Sequence, residues 1–295
     1  MIKYNTLITS AIFSIALILT GCNRELPDSS TTLPETFRIT IGTPSSIEDA
    51  RTSLGALSDS GTRAVHWSSG DRISLNGQPS IPLPEMSEQH CSAIFEFAEQ
   101  PSLPYHLLYP ASAYNGEQSI LLPTIQEAAD NSFGEGAQLM AAYIEEEGEN
   151  IIMHHLTAVI RLRLTRATTE EDRRHHEIAY VEFRGNASEQ ISGLFTIDYA
   201  TSTITGCDVS SASQSVIAKV GKSLSTDMAT DIFIVVPAIE YTKGFTVRIV
   251  DVNNHYMDRQ TLKTKHPQAG EILAMPAFEF IPTGTLIGVD TPTSL

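Results

Sequence analysis

From Ala158 to Leu164 the chain reads Ala-Val-Ile-Arg-Leu-Arg-Leu, and its side chains divide by parity. Ile160, Leu162 and Leu164 fall on one side; Arg161 and Arg163 fall on the other. Successive side chains of a strand point to opposite faces. A strand with one dry and one wet face satisfies the pattern, and such strands belong to antiparallel sheets. The same period recurs along the chain. "TFRITIG" (36–42) sets Phe37, Ile39 and Ile41 against Arg38 and Thr40, and "SAIFEFAE" (92–99) alternates again. Asn76-Gly77 is a hairpin signal. Pro110 and Pro123 close the apolar runs before them. "LMAAYI" (139–144) reads as a strand that ends in the acidic turn Glu145–Glu147, and "NSFGEGA" (131–137) reads as a loop. "AGEILAMPAFEFIP" (269–282) reads as the last strand. No helical period is sustained. Many short strands at regular spacing predict an all-β chain built of β-sandwiches. A break near residues 148–153 divides it into two tandem antiparallel domains, 37–150 and 151–282, followed by a tail, 283–295.

The N-terminus has a different character. Lys3 precedes an apolar run, Ile8–Leu19, which is followed by the small residues Thr20 and Gly21 and then by Cys22. A run of about a dozen apolar residues is short of the roughly 20 a spanning helix needs, so residues 1–21 read as a cleaved signal peptide. Leu19-Thr20-Gly21-Cys22 resembles the lipobox of bacterial lipoproteins. That resemblance implies a diacylglycerol on the Cys22 thiol and a further acyl chain, such as palmitate, on its amine. Stable anchoring takes at least two such chains. Residues 22–36, polar and rich in Pro and Ser, read as a lipidated leash. Asn23 rather than Asp follows the cysteine, which favours the outer membrane.

A formal net charge of −16 argues against a nucleic-acid partner, since phosphates demand a basic surface. It also argues against electrostatic binding to anionic lipid, leaving the lipid at Cys22 as the anchor. Cys91 and Cys207 remain, far apart in sequence, and read as two free buried thiols rather than a disulfide.

The chain lacks the spacings that carry catalysis. Gly-x-Ser-x-Gly, His-Glu-x-x-His, Cys-x-x-Cys and phosphate-binding glycine loops are all missing. His154-His155 and His175-His176 invite a metal, but neighbours on a strand face opposite ways and cannot chelate together. Glu145–Glu147 reads as a solvated turn, and Asn186-Ala187-Ser188 as a glycosylation sequon without use in a bacterial lipoprotein. The expectation is a non-enzyme with no catalytic residue, metal or cofactor. The sole tryptophan, Trp67, reads as core or turn packing.

Taken in order, "FRITIG", Arg51-Thr52, "WSSGDRISLNG", "YPAS", "LPTIQ", "MHHLTAVIRLRL", "VEFRGN", "ISGLFTID", "FIVVPA" and "FTVRIVD" resemble the fimbrillin-like (Mfa-like) lipoproteins of anaerobic gut and oral Gram-negative bacteria, over about residues 37–281. The resemblance implies two transthyretin-like β-sandwiches. It also implies a role as major or minor fimbrial (pilus) subunit, or as tip, anchor or accessory protein, in cell adhesion. In such proteins an arginine-specific protease removes the first strand, and a strand from another subunit replaces it. Here Arg51 is the leading cleavage candidate, in a polar stretch expected to be an exposed loop, with Arg38 and Arg63 behind it. Leu286, Ile287 and Val289 form the candidate donor strand, although the tail is short and its alternation broken. That weakness favours a tip, an anchor or a non-polymerising relative. Two alternatives stay open: a monomeric surface lipoprotein that binds a host protein or glycan, and a cell-surface hydrolase.

Overall fold

The computed structural model describes residues 36–43, 53–54, 65–88, 90–148 and 151–287. Their regular structure is β-strand, apart from two short 3-10 turns at Ala111–Ala113 and Asp172–Arg174. Among them no helix is long and apolar enough to cross a membrane.

The first sandwich pairs a three-stranded with a five-stranded sheet. The smaller runs β12 (Ile151–Ile152), β1 (Phe37–Gly42), β6 (Ser92–Phe97). The larger runs β13 (His154–His155), β11 (Met140–Ile144), β7 (Tyr105–Tyr109), β4 (Ser74–Leu75), β5 (Gln78–Pro79). Ile41, Trp67, Leu75, Phe95, Phe97, Leu107 and Met140 fill the space between them. A small ladder, β2 (Ser53–Leu54) with β3 (Val65–His66), stands beside. The β4–β5 hairpin turns at Asn76 and Gly77, both left-handed at φ 50° and 85°, as a two-residue primed turn requires. A Cβ on Gly77 would also stand 2.8 Å from the Tyr114 hydroxyl. The preceding turn is closed by buried Asp71, which accepts from the Ser68 N–H at 2.7 Å and the Tyr109 hydroxyl at 2.8 Å. The "WSSGDRISLNG" segment thus specifies two consecutive turns.

The second sandwich has a seven-stranded sheet: β10 (Ser132–Phe133), β9 (Ile125–Ala129), β18 (Ser215–Ser223), β15 (Glu177–Gly185), β20 (Phe245–Asp251), β21 (His255–Thr261), β24 (Gly284–Thr285). Facing it are β19 (Thr230–Pro237), β14 (Thr157–Arg166) and β22 (Ile272–Ala274), with β23 (Phe278–Phe280) beside the far end of β14. Ile160, Leu162 and Leu164 point into this core, as the alternation requires. The opposite face of β14 is less wet than expected. Val159 is buried there against Phe133, Phe233 and Val235, and Arg161 and Arg163 both pair with Asp231 of β19. A third sheet, β17 (Thr203–Cys207), β16 (Gly193–Asp198), β8 (Ser119–Leu122), covers the outer side of the five-stranded sheet. Leu108 and Ala141 pack there with Ile120, Phe195 and Ile197, while their neighbours Leu107 and Met140 point into the first core.

Several local expectations change. The last segment is two strands, divided around Pro276, and both run parallel to β14 instead of antiparallel. The "NSFGEGA" loop begins with a strand: β9 and β10 form a hairpin through Asn131, which takes φ 54°. At Pro123 the chain passes from one sheet to another, so that β8 pairs with β16 and β9 with β18.

Candidate binding groove beside the first strand

β1 is laddered along its whole length to β6, from Phe37 opposite Phe97 to Gly42 opposite Ser92. Among the described residues its other edge is used only at Ile41 and Gly42, which pair with β12. Among the described residues no strand runs beside Phe37–Thr40 on that edge. The space there is a groove of about 520 Å³ whose lining includes Phe37, Ile39, Tyr105, Ile144, Glu147 and Ile151. The floor is apolar and aromatic, and the rim is charged. Arg38 pairs with Glu96 at 2.7 Å, and Gln100 donates to Glu147 at 3.0 Å.

Beyond the ladder, specific contacts hold β1 to the core. Ile41 is fully buried, worth about 1.5–3 kcal/mol for a side chain of its size. The Phe37 ring meets Phe97 and Tyr105 at centroid distances of 6.3 and 5.9 Å. The Trp67 indole Nε1–H donates to the Ile41 carbonyl at 3.0 Å, while its ring stands edge-on to Phe95 and Tyr109. Burial, and then the neighbouring Asp71 carboxylate, pushes the Tyr109 hydroxyl well above its ordinary value and keeps it a neutral donor. The core was legible in the sequence; the bond from Trp67 to the β1 backbone was not.

One other edge is capped by a side chain. The outer edge of β19 is capped by the Gln126 side chain, which accepts from Val235 N–H at 3.0 Å and donates to Val235 C=O at 2.7 Å. Asn186 of the sequon plugs a loop, donating to the Lys243 and Thr261 carbonyls and accepting from Thr246.

Of the residues singled out in the sequence, Cys22, Arg51, Arg63 and Val289 lie outside the described residues. Arg38 lies within β1, opposite Glu96, with its side chain 65% exposed. The tail enters the seven-stranded sheet: Gly284 and Thr285 pair with Tyr256 and His255, and Leu286 N–H donates to Asn254 C=O at 2.8 Å. Ile287 is then 92% exposed. Cys91 and Cys207 are free thiols, but Cys91 is exposed and Cys207 only half-buried, which corrects the expectation of burial. His154 is exposed and His155 turns inward, so the pair does divide between faces. Gln138 Nε2 donates to His155 Nδ1 at 3.0 Å, and burial, helped by His154, pushes the imidazole down to about 3. Gly270, at φ 84°, leaves room for that ring: a Cβ there would stand 2.8 Å from it.

No protein-family model matches the chain, and no curated protein matches it in sequence. Among solved structures it is similar to a candidate cell adhesion protein from Bacteroides ovatus, at 10% identity and a TM-score of 0.50, over 85% of this chain and 95% of that one. Looser likenesses join it to a candidate cell adhesion protein from Bacteroides fragilis (13% identity, TM-score 0.40, 85% and 95% covered) and to a fimbrial protein from Bacteroides ovatus (12%, 0.32, 82% and 49%). The first likeness is one of fold: an all-β chain of stacked sheets.

Proposed function

We propose that the chain is an outer-membrane lipoprotein, anchored through lipid at Cys22 and displayed at the cell surface. In this reading it is a fimbrial subunit, or a tip, anchor or accessory protein of a fimbrium, joined to other subunits by strand exchange and supporting adhesion. One observation carries the reading: β1 fills a core slot, is laddered on one full edge only, and borders an apolar groove on the other. A cut at Arg51, or at Arg63, would separate β1 from the rest of the chain. Arg38 suits a protease less well, because its backbone lies in the ladder. Without β1, the six residues of β6 would present an unpaired edge, and the Trp67 indole would lose its acceptor. An incoming strand would restore both, with ladder bonds giving affinity and alternate side chains filling the places of Ile41 and Ile39. The designation of the Bacteroides ovatus structure as a candidate cell adhesion protein supports the same direction. The short donor, Leu286, Ile287 and Val289, favours the tip or anchor role over the shaft.

A second reading is favoured by the same groove if β1 is never removed. Phe37 and Ile39 beside Glu147 then line a surface suited to a host protein or glycan, and the chain acts alone. The mass and N-terminus of the protein taken from its native membrane separate the two. Strand exchange requires a species that starts directly after an arginine, such as at Thr52. An acylated Cys22 at the N-terminus of every molecule, with no arginine-cut species, restricts the protein to an anchor, a cap or the binding role. A start that fits neither rules out both.

A further inference from the structure

Asp251 ends β20 with its side chain only 1% exposed. Its Oδ1 accepts the backbone N–H groups of Asn253 and His255, both at 2.8 Å, and so fixes the turn into β21. Its Oδ2 meets two imidazoles, His175 Nδ1 at 2.8 Å and His255 Nδ1 at 3.2 Å. His175 arrives from the segment before β15, and His255 opens β21; the two rings cross edge-on with centroids 4.2 Å apart. One donor atom from each of the three residues lies within 4.8 Å of the others. A cavity of about 320 Å³, bounded also by Arg174 and Asn253, opens beside the rings.

Four donors converge on the Asp251 carboxylate and match its acceptor capacity, but the His255 ring is held loosely, at 3.2–3.3 Å and shared between both oxygens. A metal ion suits it better. In tetrahedral zinc sites the ligand bonds are about 2.0–2.1 Å, which sets ligand atoms roughly 3.3 Å apart. The distances of 2.8 and 3.2 Å are within a few tenths of an ångström to half an ångström of that edge. Two imidazoles and a carboxylate are ligands that zinc accepts, and the backbone donors that grip Asp251 supply the orienting outer contacts such sites need. We propose that His175, Asp251 and His255 bind a zinc ion, with the fourth position open to the cavity. His176 takes no part; its Nδ1 lies 3.1 Å from the Arg174 carbonyl. The site joins the segment before β15 to the hairpin tip that also holds the tail, since Asn254 C=O accepts from Leu286 N–H and His255 pairs with Thr285.

The test is calorimetric titration of zinc into the whole chain, purified in detergent, with cobalt as a spectroscopic substitute. The expected result is one ion per chain and a visible cobalt spectrum of tetrahedral intensity. His175→Gln and His255→Gln should each weaken binding by about tenfold or more, while His154→Gln leaves it unchanged. Circular dichroism monitors the fold, and if His255→Gln unfolds, His175→Gln decides, because it lies outside the hairpin. Absence of stoichiometric binding, or binding that survives His175→Gln in a folded chain, overturns the proposal.

Discussion

At the residue scale, Trp67 and His155 show how single side chains tie a sheet to its surroundings. Trp67 was legible as an apolar anchor, but its role as donor to the Ile41 carbonyl depends on residues 26 positions apart and leaves no local trace. His155 carries a pH signature. Its imidazole has an ordinary value of 6.5 and is held at about 3 in the fold, where Nδ1 accepts from Gln138. Between those values the unfolded chain binds a proton that the folded chain refuses. Its contribution to stability is therefore complete above about pH 6.5 and is lost as the pH falls toward 3. His155→Gln should flatten this dependence: the urea midpoint of the variant should drop less between about pH 7 and pH 4 than that of the parent chain. An identical drop in both would show that the ring is not the titrating group.

At the element scale, strands announced by strict alternation were readable and strands defined by distant partners were not. β14 and β1 were written plainly in their parity. The parallel pairing of β22 and β23 with β14 was hidden, because direction is set by the path of the chain between strands. β10 is two residues long and gave no period to detect. The cluster of His175 with Asp251 escaped for a similar reason: the two are 76 residues apart, whereas the sequence offered only the adjacent pair His175-His176. Gln126 makes the sharpest prediction at this scale. Gln126→Leu should leave both backbone groups of Val235 buried without partners and cost about 2–6 kcal/mol, from 1–3 kcal/mol for each group. Urea denaturation should read this as a lower midpoint with an unchanged slope. A variant as stable as the parent would mean that water replaces the amide.

At the scale of the whole molecule, the two cores are stitched together by strands that cross between them. β8, β9 and β10 lie in sequence between β7 and β11 of the first core, yet β8 pairs with β16, and β9 and β10 join the sheet of the second. We keep the division into 37–150 and 151–282 as a proposal for two sandwiches, with these strands as the stitches. The formal net charge of −16 fits the proposed reading of a body held away from anionic lipid. Within that body β1 is the element whose removal exposes a ready-made edge, and the sole tryptophan reports on it directly. The most direct measurement is therefore strand replacement. A protease site is placed between residues 44 and 52, the chain is cut, and a labelled peptide of residues 36–43 is added in excess while Trp67 fluorescence is followed. The account predicts that the label enters the folded protein and displaces β1, and that Trp67 emission shifts to the red when β1 is washed away and returns when peptide is supplied. A cut chain that takes up no label, with Trp67 emission unchanged, would contradict it.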